Sequence, residues 1–179
     1  MNMMQKNDIP IYEQSTKEQK ANKPKIEDVC DYFLTDNILK EGMTHLLKFS
    51  NELKMKPAWF AKNAYKCTHK GKKVAAYGIN GKDDIILTVS LAEPENLEKV
   101  ILELSEDLKT ELLNSKLRHC GRCSYYVSCD NGISFDVSGN KFRACSWHTY
   151  ICPNPTVEQF KMIEKFIEIR RNNIKNLAK

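Results

Sequence analysis

Apolar residues recur along the chain at intervals that alternate between helical and extended spacing. From Ile26 the interval is helical: Ile26, Val29, Cys30 and Phe33 fall three or four apart, which returns side chains to one face of a helix. Asp36 or Asn37 can cap a second helix, whose stripe is Leu39, Met43, Leu46, Leu47 and Leu53. Pro57 closes this region, because proline cannot continue a helix. Lys73 to Ile79 and Ile85 to Leu91 then read as strands, the second rich in β-branched residues. Asn80-Gly81 lies between them, followed by Lys82 and Asp83. Asn-Gly adopts positive backbone dihedrals cheaply, so it predicts a hairpin. An earlier strand at Tyr65 to His69 joins through a turn at Lys70 and Gly71, completing a three-stranded antiparallel meander.

Helical spacing resumes after Pro94. Leu97, Val100, Ile101, Leu104, Leu108 and Leu112 predict one amphipathic helix lying across a face of the sheet. Ile133 to Val137 and Lys141 to Cys145 flank Ser138-Gly139-Asn140 and predict a second hairpin. A last helix starts near Asn154-Pro155, or at Thr156, which forms a capping box with Gln159. Its buried face is Phe160, Ile163, Phe166, Ile167 and Ile174, and Arg170, Arg171, Lys175 and Lys179 favour its C-terminal end. The pattern predicts an α+β fold: an antiparallel sheet packed against helices, with a cysteine-rich hairpin and a C-terminal helix. A single domain is expected over residues 26–179. Residues 1–25 are polar and lack a sustained period, so they are expected to form a disordered or loosely attached tail, with Ile9 to Tyr12 as a short docking point.

Composition narrows the class. A chain of 179 residues suits one domain. Its net charge of +5 is weakly permissive for anionic partners. No apolar run approaches the roughly 20 residues that span a bilayer, and the N-terminus lacks an apolar signal core. The expectation is a cytoplasmic protein without a membrane segment.

The chemistry concentrates in the segment 119–152, which carries Cys120, Cys123, Cys129, Cys145 and Cys152, five of the seven cysteines, beside His119 and His148. In a reducing compartment such clusters hold metals or serve redox chemistry more often than they form disulfides. Cys120-Gly121-Arg122-Cys123 has the two-residue gap of a metal knuckle, and structural zinc takes four thiolate or imidazole ligands. The best ligand set is Cys120, Cys123, Cys129 and either Cys145 or Cys152. An iron–sulfur cluster uses the same thiolates, and a redox dithiol at Cys120 and Cys123 or unligated buried thiols are further alternatives. His119 and His148 are expected to hydrogen-bond beside the metal rather than ligate it. A knuckle followed by a hairpin is reminiscent of a zinc ribbon, but no second C-x-x-C follows. Cys30 and Cys67 are expected to be structural, and His45 to be partly buried or at the surface rather than a ligand. No H-E-x-x-H, deaminase, nucleophile-elbow or phosphate-loop signature is present.

Lys54, Lys56, Lys62, Lys66, Lys70, Lys72 and Lys73 surround Trp59, Phe60 and Tyr65. Lysines meet phosphates and aromatics stack on bases. The competing expectation is that Trp59 and Phe60 plug the core while the lysines solvate the surface. The segment from Pro57 to about Lys116, with its lysine-rich turn, Asn-Gly hairpin and following helix, resembles small bacterial α+β domains of the YdhG-like type. The cysteine stretch and the helix NPTVEQFKMIEKFIEIR resemble the C-terminal part of uncharacterised bacterial proteins with a cysteine-rich end. These resemblances imply fold and a cytosolic setting, and no site residue. The expected function is a non-catalytic, zinc-stabilised binding or interaction domain for an unidentified small molecule or protein. The alternatives are nucleic-acid binding through residues 54–73 and an enzyme of unidentified reaction.

Overall fold

The first helix lies where the amino-acid pattern predicts a loose tail. A computed structural model describes residues 9–93, 96–114, 132–137, 139–145 and 150–176. Within it α1 (Thr16–Asn22) opens on a capping box between Ser15 and Glu18 and stops at Lys23, which adopts a positive φ of 34°. Gln19 on this helix is fully buried. Its Nε2 donates to Asn63 Oδ1 at 2.8 Å and to the Ile11 carbonyl at 3.0 Å, and its Oε1 accepts from the Asn63 backbone N–H at 3.0 Å. Asn63 Nδ2 in turn donates to the Tyr12 carbonyl, and the Tyr65 hydroxyl donates to the Pro24 carbonyl at 2.7 Å. The expected boundary at residue 25 is therefore corrected: residues 9–24 are tied to the domain by polar contacts, which leave no hydrophobic period to read.

The next two helices follow the apolar stripes. They are α2 (Ile26–Phe33) and α3 (Asn37–Glu52), the latter capped by Asp36, whose carboxylate accepts from the Leu39 N–H at 2.9 Å. Four strands succeed them: β1 (Ala58–Ala61), β2 (Ala64–His69), β3 (Lys72–Gly81) and β4 (Asp84–Val89). With β7 (Tyr150–Pro153) they form a five-stranded antiparallel sheet in the order β1-β2-β3-β4-β7. The expected meander is present, extended at both edges. Lys70 (φ 47°) and Gly71 (φ 76°) join β2 to β3, the paired positive dihedrals of a type I′ turn.

The second hairpin turns two residues later than Asn-Gly predicts. Gly81 still pairs with Asp84, and Lys82-Asp83 make the turn, with Asp83 at φ 50°. A tertiary contact overrides the local signal. The Asp83 carboxylate accepts from the backbone N–H groups of Thr35 and Asp36 at 2.6 and 2.8 Å, and from Thr35 Oγ1 at 2.6 Å. The turn is thereby fixed to the α2–α3 junction.

Strand alternation sorts the sheet into two faces. Tyr65, Tyr77, Leu87 and Cys152 pair in one row across β2, β3, β4 and β7, and all four are buried. Helices α2 and α6 (Val157–Asn176) pack against the central strands, and α3 packs on both and reaches β3 through the Ser50–Tyr77 bond. The start of α6 is the predicted capping box: Thr156 and Gln159 exchange backbone-to-side-chain bonds of 3.1 and 3.3 Å. Pro155 thus precedes the cap. Asn154, at φ 43°, exchanges bonds with the Ile85 backbone at 2.8 and 2.9 Å.

The single helix predicted after Pro94 is two. They are α4 (Leu97–Leu102) and α5 (Glu106–Asn114), yet every residue of the stripe is buried as expected. Ser105 interrupts the run because its hydroxyl donates to Asp107 and its carbonyl accepts from the Lys109 N–H, which makes it the cap of a new helix. The hairpin β5 (Gly132–Val137) and β6 (Asn140–Cys145) forms a separate two-stranded sheet. Its positions match the sequence reading. The expected cysteine content of this hairpin, apart from Cys145, falls on residues outside those described.

Gly42 on α3 sits directly against Phe160 of α6: a Cβ there would overlap its ring. Phe160 is itself buried, so the ring has little room to retreat. Gly42→Ala gains helix propensity of about 1 kcal/mol. It is nevertheless expected to destabilise the protein, by about 1–3 kcal/mol, through overpacking. Urea denaturation decides the sign, and a stabilised variant would refute the close contact.

Candidate functional site

Three regions carry the chemistry that the sequence suggests. Of the predicted metal ligands, Cys120, Cys123 and Cys129 lie outside the described residues, as do His119 and His148. Cys145 ends β6, where its backbone pairs with Gly132. Cys152 lies in β7 of the larger sheet, opposite Leu87. Its side chain is buried, and burial pushes the thiol up to about 11, partly offset by the Tyr150 hydroxyl beside it. Tyr150 shares this face. Its ring centroid is 4.7 Å from that of Phe166 on α6, and its hydroxyl donates to Glu111 Oε1 at 2.5 Å. Gln159 Nε2 donates to the same oxygen at 3.2 Å. Cys145 and Cys152 therefore sit on strands of different sheets.

The two cysteines expected to be structural are so. Cys30 and Cys67 are buried, and burial raises their thiols to about 12 and about 11. Neither is a candidate thiolate at neutral pH. His45 is exposed, with Nδ1 2.7 Å from Glu164 Oε1. Among the described residues, no group of three or more His, Cys, Asp and Glu side chains is arranged to hold a metal. No described helix is long and apolar enough to cross a membrane.

The lysine-rich segment separates into two kinds of aromatic. Trp59 faces inward and its Nε1 donates to Gln19 Oε1 at 3.3 Å, and Tyr65 is buried. Phe60 alone of the three is exposed, at 44%. It sits on β1 with the alternation that puts Ala58, and its partner Lys66, on the solvent side. Lys54, Lys56, Lys62, Lys66, Lys70 and Lys72 are exposed.

Sequence reasoning missed a fourth feature. Arg170, read from the sequence as one of the charges that favour the C-terminal end of the last helix, is buried, its side chain only 4% exposed. Its Nε donates to the Lys73 carbonyl at 3.1 Å and its Nη2 to Glu93 Oε1 at 2.7 Å, while Nη1 has no hydrogen-bond partner among the described residues. Lys72 Nζ is 3.2 Å from the same Glu93 oxygen. A cavity of about 210 Å³ opens between α4, α6 and residues 92–93, with Arg170 on its wall. Nothing in the spacing of Arg170 distinguishes it from the neighbouring Arg171, and Glu93 reads only as an acid near a helix start. Their partnership depends on how far α6 runs beside the ends of β3 and β4.

Comparison of the chain with protein-family models, with curated proteins and with solved structures gives no match.

The bond from Arg170, and secondarily the one from Lys72, holds the Glu93 carboxyl below its ordinary value. A depressed carboxylate stabilises the fold at pH above its unfolded value and loses that contribution as pH falls through the folded one. The stability advantage of wild type over Glu93→Gln is therefore expected at neutral pH and shrinks as the solution is acidified below the usual carboxylate range. Denaturant titrations of both proteins across pH measure it, and a pH-independent gap would count against the ion pair.

Proposed function

We propose that the chain is a non-catalytic binding or interaction domain stabilised by one structural zinc, held by Cys120, Cys123, Cys129 and Cys145. One observation carries the ligand set: the fold uses three of the seven thiols, Cys30, Cys67 and Cys152, as buried core side chains. Four remain, the number that closes a tetrahedral zinc site. The sheet register supports leaving Cys152 out, since it shares the helix-covered face with Tyr77 and Leu87. Four thiolates leave no open coordination position for a substrate, which favours a structural role over a hydrolytic one. A cytoplasmic setting suits the reading because reducing conditions keep the thiols free to bind metal. The partner is a small molecule or a protein.

Elemental analysis with an ultraviolet–visible spectrum tests this reading. One zinc per chain without visible absorption is expected. Iron with visible absorption would instead indicate a cluster on the same thiolates. Cys123→Ser is expected to lose the metal and Cys152→Ser to retain it. A folded, metal-free protein from metal-replete cells would end the proposal.

A second reading has a specific observation behind it, the exposed Phe60 on the same side of the edge hairpin as Lys66. It is single-stranded nucleic-acid binding, with Phe60 stacking on a base and the lysines meeting phosphates. Fluorescence anisotropy with a labelled oligonucleotide should then show salt-sensitive affinity. Replacing Lys62, Lys66 and Lys70 by Gln should flatten the log–log salt slope by roughly 0.7 for each phosphate no longer neutralised. Absence of binding at low salt would remove this reading.

A further inference from the structure

Helices α2 and α6 pack on one face of the sheet. Alternation turns Ala64 and Lys66 of β2, Ala76 and Gly78 of β3, and Ile86 and Thr88 of β4 to the other. This second face closes toward β7, where Ile151 is buried. It is open toward β1, where Ala58, Phe60, Lys66 and Thr68 are exposed. The ladder slips between Trp59 and Ala61, which leaves Phe60 as the extra residue of a bulge. Edge bulges re-aim side chains, often beside a functional site. Next to Phe60 runs a row of small residues, Ala61, Ala64 and Gly78, paired across β1, β2 and β3. Gly78 has no backbone reason to be glycine. Its φ is not in the left-handed region, and an added Cβ would meet only the Ile86 carbonyl oxygen, at 3.7 Å. Glycine inside a strand weakens it, and one use of such a glycine is to let a ligand approach closely.

We propose that a single-stranded nucleic acid lies across this open face, with one base stacked on Phe60 and the next flat on the floor of Ala64 and Gly78. This assignment rests on the single-strand reading of Phe60 and Lys66 and extends it to a surface with named base contacts. Charge selects the partner. Lys56 lies before β1, Lys62 in the β1–β2 turn, Lys66 on β2 and Lys70 in the β2–β3 turn, and all four are exposed. None has a carboxylate within ion-pair distance among the described residues, whereas Lys72 is paired with Glu93. Lys62 donates to the Glu13 backbone carbonyl at 3.1 Å, a neutral acceptor that leaves its charge uncancelled. The one acid that alternation puts on this side of the described five-stranded sheet, Asp84, begins β4 beyond Ile86. Helix α1 adds to the positive end. The bond of Gln19 to Asn63 sets it beside the β1–β2 turn, with Lys17 and Lys20 exposed on it. An acidic peptide would meet the same lysines but offers no planar rings to Phe60 or to a flat floor. A duplex keeps its base faces within its own stack. Stacking on an aromatic ring tolerates every base, so the ligand is a single strand without a fixed sequence.

The test is fluorescence anisotropy of the full-length protein with labelled oligothymidylate and oligouridylate of about ten nucleotides. Binding of at least one is expected, and the tighter of the two assigns DNA or RNA. Phe60→Ala should weaken it roughly tenfold, the loss of one stacked base. Gly78→Val should weaken it to a similar degree by raising the floor. Thermal denaturation should show that variant to be at least as stable as wild type, because valine suits a strand better than glycine. Phe60 is exposed, so its variant reads binding even where Gly78→Val fails to fold. Lys17→Gln with Lys20→Gln should flatten the salt slope, and Lys161→Gln with Lys165→Gln on α6 should not. Salt-sensitive binding that neither Phe60→Ala nor Gly78→Val changes would overturn the surface and leave nucleic-acid binding standing. No binding at low salt would remove both. Equal affinity for polyglutamate or for a duplex of the same length would also overturn the proposal, since charge alone would then account for binding.

Discussion

Tyr77 is the side chain on which the architecture depends. It lies fully buried at the middle of the ten-residue strand β3, and its hydroxyl pairs with Ser50 Oγ of α3 at 2.8 Å. A buried phenol must find a partner, and Ser50, itself fully buried, supplies one beside the Cys67 thiol. Because side chains alternate along a strand, slipping β3 by one residue would turn Tyr77 to the opposite face and strand Ser50. That register propagates. It sets Tyr65 and Leu87 opposite Tyr77, and through Leu87 it sets Cys152. At one end of β3 it brings the Lys73 carbonyl to Arg170. At the other it delivers Asp83 to the backbone of Thr35 and Asp36.

The apolar half of this arrangement was legible from spacing. Stripes on α2, α3, α4, α5 and α6 are buried where the three- and four-residue intervals put them, with Phe33 and Leu53 at their ends partly buried, because removal of apolar surface from water follows the periodicity. What spacing did not convey is where the chain stops and turns. Asn80-Gly81 is the stronger local turn signal, yet Lys82-Asp83 form the turn, since three hydrogen bonds to Asp83 come from residues nearly fifty positions away. Ser105 splits a continuous stripe by capping a helix within it. Gln19 and Arg170 are the extreme cases. Both are polar side chains buried at the end of long-range partnerships, and a polar residue in a sequence announces only that it needs a partner, not which one.

The candidate sites divide along the same line. Cys30 and Cys67 were placed correctly because a buried thiol behaves as a small hydrophobe on an apolar stripe or strand. Cys152 could not be separated from Cys145 by spacing, since one ends the predicted hairpin and the other follows it within the same cysteine-rich stretch. Pairing separates them: Cys145 ends the short β5–β6 ladder and Cys152 enters the main sheet. Trp59 and Phe60 are neighbours in sequence with opposite fates, one bonded to Gln19 and the other exposed, which is how consecutive residues of a strand behave.

The placement of β7 has a consequence for any metal bound between α5 and β7. Tyr150 begins β7, and its hydroxyl is bonded to Glu111 on α5. Leu112 and Tyr150 are both buried in the one core. The chain leaving α5 therefore returns, at β7, close to its point of departure, and the contacts of Glu111, Leu112 and Tyr150 hold the two ends together. Closing a flexible loop costs entropy that rises with its length, and here sheet pairing and the Tyr150–Glu111 bond meet that cost without a metal. Zinc bound within the segment would have only local chain to order, so more of its binding free energy would remain to stabilise the segment. Loss of the metal would then disturb the residues between α5 and β7 and leave the five-stranded sheet folded.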